Sequence, residues 1–409
     1  MHILLLTQVL PYPPDSGPKV KTWNVIKYLA QHHAVTLASF VRGDQSQDVA
    51  ALRRYCRAVH TVPITRPLAG EGLALARSLL TGQPWMMLRD DRAAMRRLVA
   101  DLAARERFDV AHADQLNMCQ YAERVPGAFK LFDAHNALWV LYRRLAETMS
   151  AGPRRWLLKR DWRLIKDYEG RICREFDAVT AVIPEDQAAL AEAAGYRSPG
   201  AGRPANIQVI PITVDTDEER PVRRRPDANR VVFAGTMYWP PNVDGVLWFA
   251  REVWPLVRAG RPQAEADIIG ARPPQAVVAL GQAGDGLRVT GYVESLRPYL
   301  EQAGVFIVPL RAGGGMRVKI LNALAQGLPI VSTTLGCEGI QVTHERDILI
   351  ADTPADFAAA VRRVLDDPAL ARRLGESGRR LAETVYDYRV ACRPLDELFQ
   401  RAAPPAQVL

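Results

Sequence analysis

The chain has 409 residues, of which 48% are hydrophobic and 24% charged, a composition typical of a folded protein with more than one domain. No apolar run approaches the roughly 20 residues that span a bilayer. The first residues lack a basic segment, so they predict a buried strand rather than a signal peptide. The five cysteines have no metal-ligand spacing, which favours a reducing, cytoplasmic location.

The net charge of +8 allows two explanations. One is the composition of an arginine-rich bacterial proteome. The other is an anionic partner, such as a nucleotide diphosphate or a phospholipid surface. No nucleic-acid-binding motif accompanies the charge, so no nucleic-acid partner is predicted.

The first part of the chain alternates apolar runs with helical segments. Residues 3–6 and 34–40 read as strands on either side of a helix over residues 20–32, and residues 109–112 and 130–133 read as strand ends. This alternation predicts a parallel sheet with helices on both faces. Ligands of such sheets bind beyond the carboxyl ends of the strands.

A polar stretch rich in proline and glycine, residues 196–230, predicts a linker. A second alternating series follows it, so the predicted fold is α/β, with two doubly wound Rossmann-like domains facing each other across a cleft. The predicted domains are residues 1–215 and 216–385. A terminal helix within residues 386–409 either continues the second domain or crosses back to the first.

Two segments of the first half combine apolar and basic residues. Residues 68–87 are apolar on one side, and residues 139–172 form a helical stretch dense in Arg, Lys and Trp. Together they are compatible with a membrane-surface patch. The alternative is an ordinary helix that packs on the sheet and presents a solvated basic face.

The most informative segment, residues 305–334, predicts the order strand, glycine loop, helix, strand. Arg317 and Lys319 lie where the helix is predicted to begin, directly after three glycines, Gly313, Gly314 and Gly315. Glycines let backbone N–H groups approach an anion, and a helix N-terminus adds about half a positive charge. The pattern therefore predicts a diphosphate site.

Motifs in a fixed order along nearly the whole chain resemble those of a known family. They are LPYPPDSG at 10–17, FDAHN at 132–136, VIPITVD at 209–215, FAGTMYWPPN at 233–242 and the segment 313–334. With these motifs the chain resembles the retaining glycosyltransferases of family 4 (glycosyl transferases group 1), which have the GT-B fold. Within the family it is similar to sugar transferases of bacterial exopolysaccharide clusters.

The resemblance implies a metal-independent, hexosyltransferase-type enzyme without a cofactor. It would move a sugar from a nucleotide-diphosphate sugar to a glycan, lipid-linked or small-molecule acceptor. The donor would bind the second domain and the acceptor the first. The implied location is the cytoplasm, with or without peripheral contact with the inner face of the cytoplasmic membrane.

The resemblance also implies site residues in the second domain. The amides of Gly235 and Thr236 would reach the diphosphate, and Arg317 and Lys319 would neutralise it as it departs. The nucleobase would pack against the backbone of two residues, Tyr292 and Val293. Glu338 is either a carboxylate for the ribose or a structural loop acid.

The family signature Glu-x7-Glu is altered in this chain. In the alignment the first Glu falls on Gly314 and the second, which holds the nucleotide ribose, falls on Asn322. A hydrogen bond to a charged group contributes roughly 1.5–3 kcal/mol and a neutral one about 1 kcal/mol. The exchange therefore predicts a donor affinity about tenfold lower.

In the first domain the resemblance points to three residues. Gly17 would allow close approach of the backbone to phosphate or acceptor, or else serve as a loop glycine with positive φ. Asp114 aligns where relatives often place a His against the donor sugar. His135 would orient the acceptor or act near the reacting oxygen, unless it is a structural histidine. Asp215-Thr-Asp217 resembles a metal-binding Asp-x-Asp motif, but it lies in the predicted linker, and the family resemblance implies an enzyme that needs no metal. No metal site is therefore predicted.

Two other functional classes stay open. A nucleotide-sugar-binding pseudoenzyme that partners an active transferase is suggested by Asn322 and by Ile212 and Thr213, which replace an Asn-Gly pair of the family. A GT-B epimerase or phosphorylase is the other class. A phosphorylase of the glycogen type needs a pyridoxal lysine, for which the chain has no motif.

Overall fold

The computed structural model describes residues 1–196, 206–225 and 228–402, and the chain forms two compact units. Unit 1 comprises Met1–Ile212 together with the chain from Ala391 onward, and unit 2 comprises Thr213–Val390. The domain limits expected at 215 and 385 are close to these. Parts of the predicted linker, residues 197–205 and 226–227, and the end of the predicted terminal helix, residues 403–409, lie outside the described residues.

Unit 1 contains a parallel sheet of seven strands in the order β3-β2-β1-β4-β5-β6-β7. The strands are β1 (His2–Thr7), β2 (Ala34–Val41), β3 (Ala58–Pro63), β4 (Val110–Asp114), β5 (Phe129–Asp133), β6 (Ala178–Ala181) and β7 (Ile207–Val209). The strand order reverses between β1 and β4, which is the switch point where ligands of doubly wound sheets bind. The predicted doubly wound fold is thus confirmed for this unit.

The strands β1, β2, β4 and β6 are buried along nearly their whole length, as expected for a parallel sheet with helices on both faces. The helices of unit 1 up to residue 196 are α1 (Gly17–Leu29), α2 (Ser46–Leu52), α3 (Leu68–Thr81), α4 (Trp85–Asp90), α5 (Ala93–Arg105), α6 (Leu116–Ala122), α7 (Leu138–Thr148), α8 (Pro153–Glu175) and α9 (Pro184–Ala193). The long helix predicted over residues 139–172 is in fact two helices, α7 and α8. Pro153 explains the break, because proline favours the first turn of a helix and cannot continue one.

Unit 2 contains a second parallel sheet, with six strands in the order β10-β9-β8-β11-β12-β13. The strands are β8 (Arg230–Ala234), β9 (Glu265–Ile269), β10 (Leu287–Gly291), β11 (Ala303–Val308), β12 (Ile330–Ser332) and β13 (Leu349–Ile350). Its switch point lies between β8 and β11. The two loops that carry most of the predicted donor residues follow these two strands.

The helices from residue 240 onward are α10 (Pro240–Trp248), α11 (Trp254–Gly260), α12 (Gln275–Val278), α13 (Arg297–Leu300), α14 (Val318–Ala325), α15 (Pro354–Asp366), α16 (Pro368–Leu381), α17 (Tyr388–Ala391) and α18 (Pro394–Gln400). Helix α18 belongs to unit 1, where Asp396 accepts a hydrogen bond of 2.5 Å from the hydroxyl of Tyr28. Within the described ranges, no helix combines the length and the apolar character needed to cross a membrane.

Candidate functional site

Lys319, on the first turn of α14, lies against the loop that follows β8. Its ammonium donates a hydrogen bond of 2.8 Å to Oδ1 of Asn242, whose Nδ2 donates one of 2.8 Å to the carbonyl oxygen of Thr236. A Cβ atom at Gly235 would lie only 2.5 Å from the Lys319 nitrogen, so the end of the lysine side chain occupies the space that a side chain at position 235 would take. The structure therefore brings the predicted Gly235, Thr236 and Lys319 together and adds Asn242.

The charge of Lys319 is not neutralised by the protein. Burial, reinforced by the positive charge of Arg317, lowers the pKa of Lys319 to about 7. The ion pairs found across residues 1–196, 206–225 and 228–402 give it no carboxylate partner, and its ammonium instead lies 4.3 Å from the centre of the Phe233 ring. An anion bound here would stabilise the protonated form.

Arg317 precedes α14 as its N-cap residue and has an extended backbone, with φ −97° and ψ 103°. Side chains two positions apart on a helix point in different directions. Because Arg317 lies before the first helical residue, this rule does not separate its side chain from that of Lys319. The Nη1 atom of Arg317 donates a hydrogen bond of 2.6 Å to the carbonyl oxygen of Gly314, and its guanidinium lies 5.4 Å from the centre of the Trp239 ring. Gly313, with φ +103°, leaves room for Arg317 Nη2, which would be 3.1 Å from a Cβ there.

Arg317 is 6% exposed, and the nitrogen atoms of its guanidinium are only partly hydrogen-bonded. Its Nε and Nη2 atoms are buried without a hydrogen-bond partner, and burial lowers the pKa of the side chain. Glu338 lies near enough for its charge to oppose that change, but its own Oε2 is also buried without a partner. Buried polar atoms without partners are rare, so this cluster offers hydrogen-bonding capacity to a ligand.

The remaining predicted donor residues lie on the same unit but outside these contacts. Asn322 is half-buried on α14, one turn after Lys319. Tyr292, which is 75% exposed, and Val293 follow β10, two strands away from β8 in the sheet. Gly315, with φ +81°, closes the glycine loop.

In unit 1, the predicted Asp114 and His135 form one hydrogen-bonded pair. Asp114 ends β4, and its Oδ1 lies 2.9 Å from His135 Nε2 and accepts a hydrogen bond of 2.8 Å from the Thr22 hydroxyl. His135 Nδ1 lies 3.4 Å from the side-chain nitrogen of Gln115. Gln115 has φ 77° and ψ 156°, a strained combination for any residue except glycine, and such strain concentrates at functional sites.

A second pair beside it joins Lys21 to Asp133, and neither residue was predicted to belong to the site. Both side chains are buried and ion-paired, and Thr180 donates a hydrogen bond of 2.5 Å to Asp133. Burial alone would raise the pKa of Asp133, but the charge of Lys21 holds it well below its usual range. All residues of α1 from Lys21 to Leu29 are buried, so no apolar stripe along this helix marks Lys21 in the sequence.

Gly17 is the first residue of α1, and the first turns of that helix carry Lys21 and Thr22 to the two pairs. Asp114, Asp133 and His135 each offer a ligand atom, and the three atoms lie within 4.8 Å of one another. The Lys21 ammonium already neutralises one of these groups, the carboxylate of Asp133. Asp217, in the Asp215-Thr-Asp217 triplet of the predicted linker, is ion-paired with Arg389.

Comparison with known proteins gives matches to both units. Residues 228–367, within unit 2, match the family model described as glycosyl transferases group 1. The MMP α-(1→4)-mannosyltransferase of Mycolicibacterium hassiacum is 25% identical over 256 residues, which cover 61% of this chain and 60% of that protein. An uncharacterized 44.6 kDa protein in the cps region of Klebsiella pneumoniae is 27% identical over 135 residues, 31% of this chain and 35% of that protein. Both relatives are matched over less than two thirds of their length.

Among solved structures, HepE of Anabaena in complex with UDP is similar over 98% of this chain and 100% of that chain, with a TM-score of 0.66 and 13% sequence identity. HepE has also been solved with UDP-glucose. At this identity the likeness concerns the fold. The chain thus carries a glycosyl transferases group 1 domain and has the GT-B fold, which confirms the family resemblance found in the sequence.

Proposed function

We propose that the protein is a retaining glycosyltransferase that moves a sugar from a nucleotide-diphosphate sugar to a glycan, lipid-linked or small-molecule acceptor. The observation that supports this most is the pair Lys319 and Arg317, two largely buried cations without a carboxylate ion-pair partner among the described residues. They lie at the N-terminus of α14, where backbone N–H groups favour an anion. The mannosyltransferase relative and the UDP complexes of HepE support the same assignment.

In the proposed donor complex, Lys319, Arg317 and the amides of the glycine loop and of Gly235 and Thr236 contact the diphosphate. They stabilise the negative charge that develops as the sugar leaves. Fixed positive groups aimed at developing charge usually contribute more to catalysis than any other single effect. Asn322 contacts the ribose, and the backbone at Tyr292 and Val293 contacts the nucleobase. We assign Glu338 to the same site, where its free oxygen accepts a donor hydroxyl.

The acceptor binds unit 1 in this proposal. His135, held by Asp114, orients the hydroxyl that attacks the sugar, and Gly17 lets the chain approach it closely. We infer from the family resemblance that the sugar keeps its anomeric configuration. In the front-face route that the resemblance implies, the departing phosphate helps to remove the proton of the acceptor. No metal and no cofactor beyond the donor takes part.

A panel of UDP-, GDP- and TDP-sugars, each incubated with and without saccharide acceptors, tests the proposal. We expect nucleotide release from one donor class, accelerated by an acceptor, and its loss in Lys319→Ala. Clear binding of the donor without release would contradict an enzyme and favour a binding-only protein. Conversion of the nucleotide sugar without acceptor would instead indicate an epimerase.

We also propose a reducing, cytoplasmic location. Cys56, Cys119, Cys173, Cys337 and Cys392 form no disulfide bonds, and all five are buried. Burial raises the pKa of Cys56 to about 12 and keeps such thiols unreactive. Labelling with a thiol reagent before and after denaturation should modify all five only in the unfolded protein.

A further inference from the structure

Helix α3 carries its large apolar side chains outward. Its buried residues are small, Ala74 and Ser78. The exposed fractions are 90%, 65%, 48% and 86% for Leu68, Leu73, Leu79 and Leu80. An ordinary surface helix has the opposite arrangement, with leucines towards the core and polar residues towards water. The helix therefore presents an apolar face that none of the residues described by the structure covers.

These four leucines form one continuous stripe. At about 100° per residue they fall within an arc of about 140° on the helix. The other residues of that arc are Ala69, Gly72 and Ala76, so it contains no charged or polar side chain. Single exposed leucines are normal on protein surfaces, but a grouped set marks an interaction site.

Helix α8 is hydrogen-bonded to α3 through Arg160 and adds an exposed aromatic ring. Arg160 of α8 donates a hydrogen bond of 3.0 Å to the hydroxyl of Ser78. Trp156 lies one turn before Arg160 on the same side of α8 and is 60% exposed. The leucines of α3 and this tryptophan thus lie on two contacting helices.

The same region is strongly basic. Residues 138–163, which cover α7 and the start of α8, contain seven basic and two acidic residues. Of the acidic pair, Asp161 is buried and accepts a hydrogen bond of 2.9 Å from the backbone of Trp85, and Glu147 lies 3.8 Å from Arg143. Arg154 and Lys159 are exposed, and the described residues give neither side chain an ion-pair partner.

We propose that the exposed leucines of α3, with Trp156, Arg154 and Lys159 of α8, bind the surface of an anionic phospholipid bilayer. We call this set the α3–α8 surface. Leucine and tryptophan side chains enter the boundary between headgroups and acyl chains, while the basic side chains contact anionic headgroups. The basic charge of this surface favours an anionic membrane over a second copy of the chain, because a second copy would bring like charges together. The inference extends the proposed function to where the enzyme works, and it does not depend on the transfer reaction.

Flotation of the purified full chain with vesicles tests the proposal. Neutral phosphatidylcholine vesicles are compared with vesicles that contain about one third phosphatidylglycerol. Each basic side chain near an anionic surface changes the partition coefficient about fivefold. We therefore expect the double variant Arg154→Gln/Lys159→Gln to lose about 20-fold in binding to anionic vesicles.

A second variant separates the apolar part of the surface from its charge. Leu73→Ser/Leu80→Ser should reduce binding to anionic vesicles at least about tenfold, since it removes two side chains that enter the bilayer. The matched control is Leu256→Ser/Leu296→Ser, which changes two exposed leucines of unit 2 (41% and 39% exposed). The control should bind vesicles like the unaltered protein.

Absence of vesicle binding by the unaltered protein, or equal losses in the control variant, would overturn the proposal. A dimer in sedimentation velocity that dissociates in Leu73→Ser/Leu80→Ser, without vesicle binding, would assign the surface to a second copy instead. Nucleotide release with a water-soluble acceptor is measured in parallel. The two leucine variants should retain it, so failure of the lipid surface and failure of the transfer activity are distinguishable.

Discussion

The candidate site residues of the two units differ in how their buried charges are paired. In unit 1 the buried Lys21 is paired with Asp133, and Asp114 with His135, so each charge has a partner within the protein. In unit 2 Lys319 and Arg317 lie together without a carboxylate ion pair among the described residues, and two nitrogens of Arg317 have no partner at all. The first arrangement is complete by itself, whereas the second is completed by an added anion.

The difference has an energetic consequence. A buried ion pair costs little as long as both partners stay, but removal of one leaves an uncompensated charge. A buried cation without a counter-ion is already in that state, so folding of unit 2 bears a cost that ligand binding removes. Stability should therefore depend on the lysine in unit 1, and anion affinity on the lysine in unit 2.

The largest expected effect is the loss of stability in Lys21→Ala. Removal of one partner of a buried pair destabilises a protein by about 3–5 kcal/mol, since Asp133 would stay buried without its counter-ion. Urea unfolding followed by circular dichroism measures this change. Lys19→Ala is the matched control, because Lys19 pairs with the exposed Asp15 and such surface pairs contribute only about 0–1 kcal/mol. Equal midpoints for the two variants would remove the contrast between the units.

Lys319→Ala should have the opposite effect, weaker binding of the ligand without a loss of stability. The variant removes a buried cation, so its free energy of unfolding without ligand should not fall. Its affinity for UDP should drop roughly ten- to hundredfold, as expected for a hydrogen bond from a charged donor of about 1.5–3 kcal/mol. Calorimetry with UDP and with uridine separates the diphosphate from the nucleoside. Equal losses for the two ligands would refute a phosphate role for Lys319.

The pH dependence of donor binding provides a second test of whether the Lys319 ammonium contacts the diphosphate. The pKa of Lys319 is about 7 in the free protein, and a bound diphosphate raises it, because the anion stabilises the ammonium. Affinity is therefore highest below about pH 7 and falls as the pH rises, by at most about tenfold per unit. Phosphate groups lose their last proton near pH 6, so the fall above about pH 7 belongs to the protein. A neutral Lys319→Met variant should show no such fall, and an unchanged slope there would assign the titration to another group.

Much of the fold followed from the sequence. The alternation of apolar runs with helical segments predicts both sheets, and the helix predicted between the glycine loop and the next strand is α14. What the pattern did not reveal is long-range pairing. Asp133 lies 112 positions after Lys21 in the chain, and only the folded structure shows that the two side chains form a buried ion pair.

The site shows the same division between local and long-range information. Lys319, Arg317 and the glycine loop are local to one segment and were identified from it. Asn242, which holds Lys319, lies 77 positions away in the chain. It ends the motif FAGTMYWPPN, but nothing in that motif shows that its side chain meets Lys319. The split of the predicted helix at Pro153, by contrast, can be predicted from the sequence alone, because a proline cannot continue a helix but favours its first turn.

The smallest expected effect concerns the residue that replaces the family's second glutamate. Asn322 lies on α14 one turn beyond Lys319 and is half-buried. In Asn322→Glu a carboxylate could accept both hydroxyls of a ribose, which should tighten UDP binding several-fold, and at most about tenfold. The gain is limited because the new negative charge also lies near the diphosphate. Asn322→Gln, which adds length without charge, is the control, and calorimetry with UDP and with a 2′,3′-dideoxy analogue measures whether the gain requires the ribose hydroxyls. An unchanged affinity for UDP in Asn322→Glu would mean that the ribose lies elsewhere, so that the family alignment does not locate the ribose contact in this chain.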